Sequence, residues 1–150
     1  MVTRSDVDGF IGEKSLAIVG VSRHGKKFGN TILKELSAKG YAMFPVHPEA
    51  DSVDGVKAYP SLSSLPEKVG GAIVCVPPAK STQVVKDAAA HGIRRIWLQQ
   101  GAESPEAIAF CDEQGLSVVH GHCILMFAEP AALPHRIHGW IWRILGKVPR

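Results

Sequence analysis

The stretch Ser15-Leu-Ala-Ile-Val-Gly-Val-Ser-Arg-His-Gly-Lys-Lys-Phe-Gly-Asn30 is the most informative part of this chain. An apolar run ends abruptly at Gly20, and the loop Gly20-x-Ser22-x-x-Gly25 and two lysines follow before a helical pattern begins. A strand, a turn of small residues and a helix form phosphate sites in α/β proteins. Because glycine has no side chain, a ligand can approach its backbone closely. The helix N-terminus adds a partial positive charge. The stretch therefore predicts a phosphate site.

Apolar strand-like segments alternate with helical patterns along the rest of the chain. Ser5 and Asp8 predict a capping box for a short helix that ends at Ile11. Strands are predicted at residues 16–19, 41–46, 56–59, 71–76, 95–98 and 116–119. Three longer helices are predicted, one from Phe28 to a C′ glycine at Gly40, one around Val84–Ala89 that closes at Gly92, and one from Ser104 to Gly115.

This order of elements predicts the fold class and the domain organisation. Strands that alternate with helices of about ten residues favour a parallel sheet. We expect an α/β fold: a Rossmann-like, doubly wound, mainly parallel sheet of five to six strands in three αβα layers. A single domain over residues 1–150 would end in an amphipathic helix at about 134–145. Packing back on the domain is the preferred role of that helix, followed by a homodimer contact and then by a membrane-surface helix.

Composition narrows the class of protein. With 150 residues, 45% hydrophobic and 21% charged, the chain is long enough for one domain with a core. A net charge of +3 with scattered Lys and Arg argues against nucleic acid, and no apolar run reaches the ~20 residues that span a bilayer. Cys75, Cys111 and Cys123 show no CxxC spacing and are expected to be free thiols. Without a signal-peptide pattern, the predicted location is cytoplasmic.

The strand ends are the segments to inspect for function, because ligands of doubly wound sheets bind outside the carboxyl ends of the strands. Motifs at and near these ends, taken in order, resemble a family of CoA-binding proteins. The resemblance covers roughly residues 10 to 130. The motifs that carry it are Val19-Gly-Val-Ser22, Gly40-Tyr-Ala-Met-Phe-Pro-Val-His-Pro48, Gly55 with Tyr59-Pro-Ser-Leu62, Trp97-Leu-Gln-Gln-Gly101 and Gly121-His-Cys123.

The resemblance implies a fold, a ligand and a set of residues. Proteins of this family are small, single-domain and Rossmann-like, and the succinyl-CoA synthetase α subunit has a similar CoA-binding domain. The implied ligand is coenzyme A, with its phosphates at the first βα loop. The matching residues are Gly20, Val21, Ser22, Arg23, Val76, Pro77, Pro78, Gln100 and Gly101. The phosphorylated histidine of the synthetase lies in a second domain without a counterpart in these 150 residues, so ligase activity is not implied.

The residues themselves also favour CoA over a nicotinamide. An NAD site places an acid at the end of the second strand, where this chain has Val46 and His47, both expected to line the cofactor site. In the family that the chain resembles, many members have an asparagine at the position of His47. Lys26 and Lys27 join Arg23 in a basic loop that suits a pyrophosphate and a further phosphate, although both lysines could be solvated loop charges. Pro77-Pro78 forms either a rigid apolar lip for the ligand or a simple strand break.

Metal binding and catalysis are both disfavoured. His120, His122 and Cys123, with His135 and His138, have zinc-ligand chemistry but no spacing that completes a set. Gln100 cannot act as a general base. We therefore predict a protein that binds CoA or an acyl-CoA without catalysis of its own, either as a homodimer or with a partner enzyme chain. The alternatives are a small NAD(P)-dependent oxidoreductase or nicotinamide-sensing module, and an acyl-CoA-processing enzyme that acts with a separate chain.

Overall fold

Helices and strands alternate along residues 2–128, the part of the chain that the computed structural model describes. The helices in this range are α1 (Arg4–Ile11), α2 (Phe28–Ala38), α3 (Pro78–Ala90) and α4 (Pro105–Glu113). The strands are β1 (Ser15–Val19), β2 (Ala42–Val46), β3 (Ser52–Val53), β4 (Val56–Lys57), β5 (Gly71–Val74), β6 (Arg95–Gln99) and β7 (Ser117–His122). The helix predicted at about 134–145 lies outside the described residues.

Five strands form one parallel sheet in the order β2-β1-β5-β6-β7. The chain first steps from β1 to β2 on one side and then returns to place β5 on the other side of β1. The strand order therefore reverses between β1 and β5, which is where doubly wound sheets bind ligands. The predicted Rossmann-like fold is confirmed, and the main sheet has five strands.

Both faces of the sheet are covered by helices, which produces the predicted three layers. Leu16 and Ile18 of β1 pack on one face, in a cluster with residues of α1 and α2. Ala17, between them, packs on the other face in a cluster with residues of α3 and α4. Side chains alternate across a strand, so a sheet that is buried on both faces needs a continuous apolar run.

The predicted strand at residues 56–59 is a separate feature of the fold. Only Val56–Lys57 is a strand there, and it pairs antiparallel with Ser52–Val53 in a hairpin apart from the main sheet. Asp54 and Gly55 connect the two strands with φ of 50° and 80°. This two-residue turn with positive φ suits tight hairpins, which is why β4 turns back on β3 instead of extending the sheet.

The ends of the first two helices test the capping predictions. The capping box of α1 is Thr3 with Asp6, so the prediction of Ser5 with Asp8 was wrong by two residues. Ser117 donates to the Asp6 carboxylate at 2.9 Å, a tertiary contact that favours this register. The C′ glycine of α2 is confirmed: Gly40 has φ +97°, and the Tyr41 N–H donates to the Leu36 carbonyl at 3.0 Å.

The remaining boundaries differ little from the predictions. β5 ends at Val74 because the chain then turns towards α3, whose first residue is Pro78, and β7 runs on to His122. Ser104 caps α4 by accepting from the Ala107 N–H at 3.1 Å, as predicted.

Within residues 2–128, no helix has both the length and the apolar character needed to cross a membrane.

Candidate functional site

The carboxyl ends of the parallel strands meet at one edge of the sheet, and most of the predicted site residues follow them. The first loop, residues 20–27, connects β1 to α2 beside the end of β5. Gly20 has φ +110°, and a Cβ on it would lie 2.4 Å from the carbonyl oxygen of Cys75. The chain segments after β1 and β5 therefore touch backbone to backbone at the point where the strand order reverses. Only glycine fits at Gly20.

A second glycine brings the start of α2 against the same loop. A Cβ on Gly29 would lie 2.4 Å from the carbonyl oxygen of Gly20. Gly29 is buried and helical, so its role here is to permit close approach. The N-terminus of α2 is thereby held directly over the end of β1. Val21, between the two contacts, is 4% exposed and belongs to the core, so its side chain does not line the crevice.

The N-terminus of α2 has no side-chain cap. Lys27 is the N-cap residue, and its side chain makes no capping hydrogen bond. The N–H groups of Phe28 and Gly29 find no acceptor within residues 2–128, as expected of an uncapped first turn. The side chains of Lys26, Lys27 and Phe28 are exposed around it. Unpaired N–H groups, the helix dipole and two cations make this turn suitable for an anion.

Ser22 is fixed from within the protein. Its N–H donates to Oδ1 of Asn30 at 2.8 Å, and Nδ2 of Asn30 donates back to its carbonyl oxygen at 2.8 Å. The Ser22 hydroxyl accepts from the N–H of His24 at 3.1 Å. The backbone N–H of this predicted phosphate ligand is thus already engaged, which leaves the hydroxyl as the group of Ser22 that can reach a ligand.

The segment after β2 is tied to the first loop through Arg23. Its guanidinium forms an exposed ion pair with Glu49, so a ligand would have to share this cation with an acid. Nδ1 of His47 accepts from the N–H groups of Glu49 at 3.0 Å and Ala50 at 2.9 Å. A neutral His47 must then carry its proton on Nε2. Val46 is buried and forms a bridge with Tyr59, so it contributes backbone and packing at this edge.

The segment after β5 presents an apolar surface next to Gly20. Val76 is half-buried, and Pro77 and Pro78 are exposed at the start of α3, where Pro77 is the N-cap residue. The adjacent Cys75 thiol is held protonated, since burial and then the neighbouring Cys123 raise its pKa to about 12. A thiol with this pKa is a poor nucleophile at neutral pH.

The segment after β6 lies two strands from β1. Gln100 is exposed, and Gly101, with φ +97°, donates its N–H to the carboxylate of Glu103 at 3.1 Å. Gln99 is 3% exposed, and its side-chain oxygen accepts from the N–H of Ile124 at 3.1 Å. Of the two glutamines, only Gln100 is therefore available to a ligand.

His120 and His122, which lie in β7, do not form a metal site in the described part of the chain. Within residues 2–128, no three His, Cys, Asp or Glu side chains are close enough to hold a metal ion together. The carbonyl oxygen of His122 accepts from the indole N–H of Trp97 at 3.1 Å, and its ring lies edge-on to Phe127. All three cysteines are free, and Cys111 is buried. His135 and His138 lie outside the described residues.

Three residues of this site were not predicted from the sequence. Glu49 forms an ion pair with Arg23, and Asn30 makes hydrogen bonds to the backbone of Ser22. Asp54, in the hairpin turn, accepts a hydrogen bond from Asn30. Asn30 carried a usable signal, because it is a polar residue on the apolar helical face that includes Leu33. The other two gave none, since each depends on a contact between segments at least 24 residues apart.

Comparison with known proteins identifies the family. A family model described as the CoA binding domain matches residues 14–129. The chain belongs to this family. The chain is 32% identical over 118 residues to acetate–CoA ligase [ADP-forming] II of Archaeoglobus fulgidus. The aligned region covers 76% of this chain but only 18% of the ligase. The chain is 26% identical to the α subunit of acetate–CoA ligase [ADP-forming] II of Pyrococcus furiosus, of which it spans 28%.

Solved structures similar to this chain include both short proteins and much longer ones. A conserved hypothetical protein of Pyrococcus furiosus is 39% identical, with a TM-score of 0.71 over 75% of this chain and 97% of that one. Acetyl-coenzyme A synthetase 1 of Ca. Korarchaeum cryptofilum, solved with phosphate and ADP, is 28% identical, with a TM-score of 0.67 over 77% of this chain and 27% of the synthetase. Similar domains therefore occur in chains of similar length and within much longer ones.

Proposed function

We propose that this protein binds coenzyme A or an acyl-CoA at the switch point between β1 and β5, without catalytic activity of its own. The observation that carries the proposal is the position of the α2 N-terminus in this member of the CoA-binding domain family. This helix end is uncapped, and contacts at Gly20 and Gly29 bring it against the end of β1. The pyrophosphate would accept from the free N–H groups at the start of α2.

Positive charge around the first loop supports a ligand with more phosphate than NAD. Lys26 and Lys27 are exposed beside the α2 N-terminus, and Arg23 is held nearby by Glu49. Glu49 is the first acid after β2, and it is engaged with Arg23, so its carboxylate is not free to bind a ribose hydroxyl pair. CoA also carries a 3′-phosphate, for which a second cationic group is needed. The nicotinamide alternative is not favoured.

The rest of the edge suits the uncharged parts of CoA. Val76, Pro77 and Pro78 offer an apolar, conformationally rigid surface for the adenine or the pantetheine arm. His47 would donate from Nε2, because its Nδ1 is occupied by two backbone N–H groups. Gln100 and Gly101 lie about 10 Å from β1 along the edge, two strand spacings away, within reach of an extended pantetheine.

The chemistry of the edge supports binding without turnover. Cys75 is held as a thiol, Glu49 is paired with Arg23, and Glu103 accepts from the N–H of Gly101. None of these three groups is presented as a general base or a nucleophile. The relatives named as ligases are several times longer than this chain, and one of them is a subunit α. We infer that any chemistry on a bound acyl-CoA is supplied by a separate chain.

Thermal unfolding with matched ligands tests the proposed function. A ligand at 100 times its dissociation constant stabilises a protein by about 2.7 kcal/mol, which raises the Tm of a domain of this size by roughly 5–10 °C. CoA should raise the Tm most, dephospho-CoA less because the 3′-phosphate is missing, and NAD least at equal concentration. Pantetheine, which has no phosphate, is the control for the uncharged arm. A larger shift with NAD than with CoA would refute the proposal.

A further inference from the structure

A buried amide joins the first loop to the hairpin turn. Asn30 is only 1% exposed. Its side chain makes three hydrogen bonds. Oδ1 accepts from the N–H of Ser22, and Nδ2 donates both to the Ser22 carbonyl oxygen and to Oδ2 of Asp54, each at 2.8 Å. The two N–H bonds of the amide are thus both used, and its oxygen has a donor.

Asp54 reaches this amide from the other side of the loop. As a residue it is exposed at the hairpin turn, but its side chain is only 14% exposed because it points back towards α2. Lys34 lies 3.7 Å from its other oxygen, Oδ1. A Cβ on Gly25 would lie 3.2 Å from the same oxygen, so the carboxylate also borders the first loop. The turn between β3 and β4 is therefore part of the wall that shapes this loop.

The partners decide which way the amide points. A carboxylate only accepts hydrogen bonds, so Asp54 requires the NH₂ group of Asn30 on its side. The amide oxygen must then face the N–H of Ser22. Loss of the carboxylate would leave one buried amide hydrogen of Asn30 without an acceptor. The amide would then be less firmly oriented, and its hydrogen bonds to the Ser22 backbone would weaken.

We propose that Asn30 is the positioning residue of the first loop and that Asp54 orients it, so that the β3–β4 turn determines whether the loop is shaped for an anionic ligand. Neither residue needs to touch the ligand. The identity of the ligand rests on the proposed function, whereas the positioning of Ser22 does not.

Positioning by Asp54 and simple electrostatics predict opposite effects of its removal on ligand binding. Asp54 places a negative charge beside a loop that is expected to bind phosphate, so removal of the charge alone should strengthen binding. If Asp54 positions the loop, its removal should weaken binding instead. Asp54→Asn keeps an acceptor for Asn30 without the charge, and Asp54→Gly removes both. Asparagine and glycine each tolerate the φ of 50° at this turn, so neither variant introduces backbone strain.

A matched control comes from the same hairpin. Asp51 precedes β3 and is exposed, its carbonyl oxygen accepts from the Ala58 N–H, and its carboxylate has no partner within residues 2–128. Asp51→Gly therefore removes the same charge and the same side chain without touching Asn30. The readouts are the CoA dissociation constant by calorimetry and the exchange rate of the Ser22 amide hydrogen by NMR in the ligand-free protein.

The expected pattern separates positioning from charge. Asp54→Gly should weaken CoA binding about tenfold and raise the Ser22 exchange rate at least about tenfold, whereas Asp54→Asn and Asp51→Gly should leave the exchange rate near that of the wild type. Tighter binding in Asp54→Gly, or equal exchange in Asp54→Gly and Asp51→Gly, would overturn the proposal. If the wild type does not bind CoA, the proposed function fails, and the exchange rates alone still decide whether Asp54 positions the loop.

Discussion

Replacing Gly29 by alanine puts one methyl group between two backbone segments of the candidate site. The added Cβ would lie 2.4 Å from the carbonyl oxygen of Gly20 and 3.1 Å from its carbonyl carbon. Ordinary contacts begin near 3.4 Å, so α2 and the first loop must separate by about 1 Å. Neither partner is a flexible side chain that could move away. The Gly29→Ala variant therefore alters the geometry of the loop without changing any charge.

The size of the effect follows from two opposed terms. Overpacking costs about 1–3 kcal/mol, while alanine is favoured over glycine in a helix by up to about 1 kcal/mol. The free energy of unfolding should fall by about 0–2 kcal/mol, and the protein should still fold. Binding should suffer more, because a hydrogen bond to phosphate is lost when its donor moves by about 1 Å. Loss of one such bond weakens CoA binding about tenfold or more.

Urea unfolding and calorimetry with CoA measure these two quantities. Gly9→Ala is the matched control, since Gly9 also lies in a helix and the three atoms nearest to its Cβ would all belong to the end of the Arg95 side chain, which can move. That variant should unfold within about 1 kcal/mol of the wild type and bind CoA equally well. Wild-type CoA affinity in Gly29→Ala would show that the contact between Gly20 and Gly29 does not shape the binding site.

The other predictions concern the charge of the first loop and the absence of turnover. Arg23→Ala should weaken CoA binding by about 1–2 kcal/mol, less than a full charge-assisted bond because Arg23 must first leave Glu49. Glu49→Gln, which frees Arg23, should strengthen binding by up to about 1 kcal/mol; calorimetric changes of the same sign in both variants would contradict this competition. Incubation with acetyl-CoA or succinyl-CoA should release no thiol above the background rate in a colorimetric thiol assay. Turnover that disappears in His122→Ala or Cys123→Ser would instead reveal an active site at the end of β7.

The overall fold was predictable because its signals are local. The continuous apolar runs of β1 and β5 mark strands that are buried on both faces, and the glycine after α2 ends that helix by its positive φ. The alternation of strands and helices then restricts the topology to a doubly wound sheet. The same logic placed the first loop at the carboxyl end of β1. The family resemblance rested on these segments, and the match over residues 14–129 confirms it.

Capping and hairpin formation were harder to predict because similar patterns compete locally. Thr3 with Asp6 and Ser5 with Asp8 both fit a capping box, and the hydrogen bond from Ser117 favours the first pair. Val56–Lys57 pairs with Ser52–Val53 in a separate hairpin because the intervening turn reverses the chain. In both places, the propensity of a few residues allows more than one structure, and contacts with other segments select between them.

The glycine-rich, basic segment between a strand and a helix could be located from the sequence alone, because these properties belong to neighbouring residues. Which groups of that segment remain available to a ligand depends on how the chain packs. The Ser22 N–H is taken by Asn30, the Arg23 guanidinium is paired with Glu49, and Gln99 is turned into the core. Hydrogen bonds and ion pairs form between groups that are close in space, and these pairs lie 8, 26 and 25 residues apart along the chain. No local pattern specifies such pairs, since they exist only once the helices and loops have packed around the sheet.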